Sequence, residues 1–241
     1  MLLFALPLYA IALVYGAAAL LPAIYLMRYI YRKDTVEKEP PMLLMSLLIY
    51  GVIAALISII LEKIGTKVLN SLMDQSTVGY TLVLAFAVVA VVEEGAKFAM
   101  LKRRTWNDMN FNYRFDGIVY AVFVSLGFAA FENIGYVLGY GLSVAPARAL
   151  LAIPGHMCFG VFMGTFYGRA KQCRVWGDKA EERANLWLGY IAAVLLHGFY
   201  DSCAMINTVA SSIVFIAFVI IMYIVVIKKV NKESQNDGPI N

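Results

Sequence analysis

The chain has 241 residues, of which 61% are hydrophobic and only 15% charged, with a formal net charge of +4 and a mean hydropathy of +0.73. A soluble domain is about half apolar and about a quarter charged, so these values exclude a soluble globular protein and point to an integral membrane protein in a lipid bilayer. The positive balance implies no nucleic-acid partner, because the basic residues sit in short segments between apolar runs.

A helix that crosses a bilayer needs about 20 apolar residues. Seven runs meet that need, at 3–27, 42–62, 78–101, 116–140, 147–169, 186–206 and 209–227. They predict an all-α membrane helix bundle of about seven transmembrane helices, folded as one membrane-embedded domain over 1–241. The first run is too long for a signal-peptide core and lacks a basic start, so it is expected to be a retained span. Between the first two runs lie Arg28, Arg32, Lys33 and Lys38; later segments on the same side carry Lys102, Arg103, Arg104, Arg114, Arg169, Lys171, Arg174, Lys179, Arg183, Lys228, Lys229 and Lys232. The other side has Lys63, Lys67 and Arg148. The positive-inside rule then puts the N-terminus outside and the C-terminus in the cytoplasm. Residues 171–187 are mixed in charge and suit a short interfacial helix. Residues 228–241 read as a polar cytoplasmic tail without fixed structure. Cys158, Cys173 and Cys203 form neither a disulfide framework nor a metal-ligand spacing.

Charged and imidazole groups inside the apolar runs carry the functional signal. A charge at mid-bilayer costs roughly 2.5–3.5 kcal/mol on insertion scales. The third run ends in Glu93-Glu94-Gly-Ala-Lys97. On a helix Lys97 projects about 40° from Glu93 and about 60° from Glu94, one turn on, so it can pair with either. Glu93 precedes the basic segment by about 12 Å of helix, too far for a carboxylate to reach water. The fourth run holds Phe131-Glu132-Asn133 with Tyr136 at i+4, placed to donate a hydrogen bond to Glu132. The fifth carries Pro154-Gly155-His156, followed by a glycine stripe at Gly160, Gly164 and Gly168 that suits close helix approach. The sixth carries His197 and Asp201 at i, i+4, where the aspartate can fix the imidazole tautomer. His156 and His197 are the only histidines. The motif-bearing core is 78–206, and its acids and histidines are expected to converge on one wet pocket. Four carboxylates against one lysine leave that pocket in need of protons, water or a metal cation.

Glu93-Glu94-x-x-Lys97, Phe131-Glu132-x-x-x-Tyr136, His156-x-x-x-Gly160 and His197-x-x-x-Asp201 resemble the motif series of the PrsW family of intramembrane proteases, a distant relative of the CAAX prenyl endopeptidases and Abi-type proteins. The likeness covers 90–205, with the motifs in order and each on its own span. It implies a bacterial cell-membrane peptidase that takes part in regulated proteolysis during stress responses by cutting a membrane-anchored substrate, an anti-sigma factor, at a first site on the outer side. It further implies that Glu93 or Glu94 activates water and that the histidines stabilise the oxyanion or bind a metal. Glu132 joins the catalytic set, with Lys97, Tyr136 and Asp201 in support. A glutamic-type enzyme would need no cofactor. A metallo-type enzyme would hold zinc on His156, His197 and Glu94, a ligand set unlike HExxH, which is absent.

Other readings use the same residues. A seven-span zinc-dependent lipid amidase would need more histidines than the two present. A proton-coupled transporter could use buried acids and histidines as a relay, marked by flux that survives loss of Glu93 and Glu94. A scaffold that binds membrane helices without cutting them is the remaining alternative.

Overall fold

A computed structural model describes residues 8–240, so the predicted start of the first span, 3–7, lies outside the described residues. The chain is built from α1 (Leu8–Lys33), α2 (Pro41–Leu72), α3 (Val78–Val83), a π-helical turn (Leu84–Ala90), α4 (Val91–Thr105) and α5 (Asp116–Tyr140). A 3₁₀ turn (Leu142–Val144), the short α6 (Ala145–Ala147) and a second π-helical turn (Arg148–Ala152) lead into α7 (Ile153–Val175), α8 (Lys179–Ile206) and α9 (Val209–Gln235). Among the described residues six helices are long and apolar enough to cross a membrane. The predicted run at 78–101 is helical throughout but divided among α3, the first π turn and α4, and it is not one of the six.

Several helices outrun their hydrophobic stretches. α2 continues ten residues past position 62, and α8 begins at Lys179, inside the segment expected to be interfacial. Asp178 caps α8 by accepting from the Ala180 and Glu181 amides, which stabilises a polar helical turn that hydropathy alone does not register. The tight link between α8 and α9 works because Asn207 takes the left-handed conformation (φ 50°) and Thr208 forms a capping box with Ser211.

α5 is the central element. It packs against α1, α2, α4 and α7 and is apolar on every side, as a helix enclosed by others must be. The α5–α7 contact is very close: Gly164 lies on the backbone of Gly117 and Ile118, and Gly168 on that of Arg114, so a Cβ at either glycine would overlap main chain. The predicted glycine stripe therefore sets how near α7, which carries His156, comes to α5, which carries Glu132.

The basic segments gather at one end. Ser234 Oγ donates to the Lys33 carbonyl, Lys171 Nζ to that of Trp106 at 2.8 Å and Arg114 Nη2 to that of Asn236 at 2.6 Å. The tail is ordered rather than loose. α9 extends to Gln235, Asp237 Oδ1 accepts from the Phe115 amide at 2.9 Å, and the Ile240 amide donates to the Asn112 carbonyl at 2.8 Å. The Ile240 side chain is buried in the core, and that apolar burial anchors the tail.

Candidate active site

Two π-helical turns stand immediately before the polar residues: Leu84–Ala90 before Glu93 and Glu94, and Arg148–Ala152 before His156. Such turns widen the helix by a residue and re-aim the side chains of the next helical turn. The first is held by close packing, since Gly198 of α8 lies directly on the Phe86 ring with no room for a Cβ. That contact draws α8, and with it His197, against the carboxylates of α4.

Five groups meet in a buried knot. Lys97 Nζ donates to Glu94 Oε1 at 2.7 Å and to Glu93 Oε2 at 3.1 Å. It also lies 3.1 Å from His156 Nδ1 and 4.0 Å above the Phe128 ring. An ammonium can only donate, so Nδ1 of His156 accepts and its proton sits on Nε2, which faces Glu132 Oε2 at 3.3 Å. His197 is turned the same way, with Nδ1 inward, 2.8 Å from Glu94 Oε1 and 3.9 Å from Glu93 Oε2, and Nε2 outward to Asp201 Oδ2 at 3.3 Å. The two imidazoles thus form matched pairs, each with a carboxylate behind it; Nδ1 of His197 faces the α4 acids and Nδ1 of His156 faces their partner Lys97. Phe159 stacks on His197 with ring centroids 4.8 Å apart.

Tyr136, expected to donate to Glu132, instead carries the Arg148 guanidinium 3.8 Å from its ring centroid. Arg148 takes the carboxylate itself, with Nη2 2.8 Å from Glu132 Oε2. Two site-facing residues escape a reading of the sequence. Arg148 counts there only as a loop charge, and Glu62 stands at the edge of the second apolar run. Because α2 runs on, Glu62 is mid-helix, half-buried, and close enough to Glu132, Lys97, His197 and Asp201 for their charges to act on it.

Exposure grades along the site. Lys97 and Glu94 are 1% and 0% exposed, whereas the side chains of Asp201 and Glu132 reach 17% and 27%. Both lie toward the C-terminal ends of α8 and α5, away from the basic end. The dry floor therefore opens toward the end with few basic residues.

Glu93, Glu94, His156 and His197 each offer a ligand atom, all within 4.8 Å of one another. Glu94 Oε2 is buried with no hydrogen-bond partner. Two imidazole nitrogens with carboxylate oxygens are the donors that suit zinc and similar divalent ions, and each imidazole already has its other nitrogen on a carboxylate, as bound histidines do. Five carboxylates around the site face the cations Lys97 and Arg148, so added positive charge is also favoured electrostatically. The residues fit a metal ion.

The sequence profile of the family described as PrsW family intramembrane metalloprotease matches residues 39–227. The chain belongs to the PrsW family. It is similar to Protease PrsW of Clostridioides difficile (strain 630), 32% identical over 226 residues that make up 92% of each chain. Protease PrsW of Geobacillus kaustophilus (strain HTA426) is 32% identical over 185 residues, 77% of each chain. Protease PrsW of Bacillus subtilis (strain 168) is 33% identical over 185 residues, 77% of this chain and 80% of that one. No solved structure matches. The PrsW membership makes this an integral membrane peptidase of the bacterial cell membrane, and six candidate spans among the described residues agree with that.

Proposed function

We propose that this protein cuts membrane-anchored proteins of the anti-sigma-factor kind close to the outer membrane face, with Glu93 as the general base. The basic end lies in the cytoplasm by the positive-inside rule, so the open end of the site faces outward. The observation that carries the assignment of the base is the difference between the adjacent acids. Glu94 is fully buried and tied to both Lys97 and His197, whereas Glu93 keeps only the Lys97 hydrogen bond and has slight exposure.

The chain's own groups then act in concert. Glu93 accepts a proton from the attacking water and returns it to the leaving amine, a role that contributes about 10²–10⁴-fold. Lys97 balances the two α4 carboxylates and keeps Glu94 in place. Glu132 and Asp201 orient His156 and His197. The helix walls exclude bulk water from the floor, so each donor acts in a low-dielectric setting. When a metal is bound, Glu94, His156 and His197 would hold it, and it would supply a Lewis acid for the carbonyl and a more acidic water.

The test compares membrane-protein fragments in cells carrying the wild type and Glu93→Gln. Fragments of single-span proteins cut beside their outer membrane boundary should appear with the wild type alone. Identical fragments in both strains, or proton flux that persists in the variant without any cleavage, would reject the assignment. Purified protein should also carry about one equivalent of a divalent metal, lost in His197→Gln.

A further inference from the structure

The two imidazole–carboxylate pairs are held by different means. His197 and Asp201 share one helix at i, i+4, so the backbone of α8 fixes their separation. His156 and Glu132 stand on α7 and α5, and nothing in either helix alone sets the 3.3 Å between them. The missing constraint is supplied by Arg148. Its Nη2 donates to Glu132 Oε2 at 2.8 Å and its Nε to Asn133 Oδ1 at 2.8 Å, while its plane lies over the Tyr136 ring. Asn133 Nδ2 donates in turn to the Ala19 carbonyl of α1 at 2.8 Å. The guanidinium side chain is 13% exposed, and it sits in the π-helical turn that opens α7. It is thereby fixed to the same element as His156 while gripping the carboxylate of α5.

We propose that Arg148 is a positioning residue for His156: it locks Glu132 in the place where it accepts from the imidazole Nε2–H, and so holds the ring with Nδ1 on Lys97. Without the guanidinium, Glu132 is free to swing toward the opening, and the ring loses the acceptor that fixes its orientation. Lysine is a poor replacement. Two directed hydrogen bonds from one plane that also stacks on a tyrosine need a guanidinium fork.

This inference rests on the proposed active site, and the test separates the two. With only two histidines in the chain, ¹⁵N-histidine NMR of the full protein in lipid nanodiscs gives two imidazoles, and His197→Asn assigns them. The His156 Nε2–H proton should be shifted downfield by its hydrogen bond to Glu132 in the wild type and move upfield in Arg148→Met, while Lys97 keeps the tautomer. Arg148→Lys, which keeps the charge and favours folding, should fall between them. On a reporter membrane substrate, Arg148→Met should lower kcat about 10–100-fold with KM unchanged. Adding Arg148→Met to Glu132→Gln should cost little more than Glu132→Gln alone. An unchanged His156 Nε2–H proton shift in both Arg148 variants, a rise in KM alone, or fully additive losses would overturn the inference. If no substrate is cut even by the wild type, the proposed activity fails while the Nε2–H measurement still decides the role of Arg148.

Discussion

At the proposed active site Glu93 and Glu94 are buried against Lys97, whereas at the basic end Asp34 and Glu39 are buried with oxygens that meet no partner. The first arrangement sets an ammonium against the carboxylates, which costs desolvation but holds geometry. The second is compensated less than burial costs, Asp34 by Lys38 and Glu39 by Tyr120 and Asp116, so burial pushes the Asp34 pKa up to about 6 and that of Glu39 up to about 7. A buried acid in a close ion pair is thus held in place by its partner. A buried acid with weaker partners relieves its cost by taking up a proton near neutral pH.

The largest expected effect comes from making the site resemble the basic end. Lys97→Met leaves two uncompensated carboxylates and should destabilise the protein by about 3–5 kcal/mol, read as a lower melting temperature in lipid, with cleavage abolished. Adding Glu94→Gln should restore most of the stability and none of the activity. No recovery in the double variant would show that lost packing around the lysine stem, not stranded charge, caused the damage.

Glu93→Gln should lower cleavage about 10²–10⁴-fold with the melting temperature within a few degrees of wild type, because the amide keeps the shape. A loss of equal size in folding would move Glu93 from chemistry to structure. Next in size, Gly164→Leu should force α5 from α7 and cost about 1–3 kcal/mol, with a matching fall in activity as Glu132 and His156 separate. Unchanged stability would mean that the stripe does not set the helix spacing.

The smallest effect belongs to the basic end and has the opposite sign. The folded-state pKa of Asp34 lies above the unfolded carboxylate value near 4, so the folded protein binds the extra proton. Its destabilisation sets in as pH rises through about 4 and is complete above about 6. Asp34→Asn should therefore stabilise the protein by about 1–2 kcal/mol at pH 8, and the gain should shrink as pH falls toward about 4. A gain that does not change with pH would refute the titration.

Much of this is legible in the chain. The apolar stretch at 116–140 predicts α5, which runs Asp116–Tyr140, because stretch and helix coincide. For α2 and α8 the apolar stretch is shorter than the helix. Their polar turns, including Lys63 and Lys67 or Glu181 and Glu182, are still helical, and hydropathy measures burial in lipid rather than backbone conformation. The close meeting of Glu93, Glu94, Lys97, His156 and His197 is expected from their shared depth. The roles of Arg148 and Glu62 are not, because position along the chain does not give the direction of a side chain.

The sequence by itself determined that the protein lives in a membrane, which helices carry the acids and imidazoles, and that His197 and Asp201 would pair, since an i, i+4 spacing is local geometry. The packing of helices is needed to see that Glu94 is gripped by Lys97 and His197 together, that Tyr136 supports an arginine rather than a glutamate, and that His156 finds its carboxylate on another helix. Those contacts join residues up to 103 positions apart. They depend on how glycine faces and π turns rotate and space the helices, which no local pattern encodes.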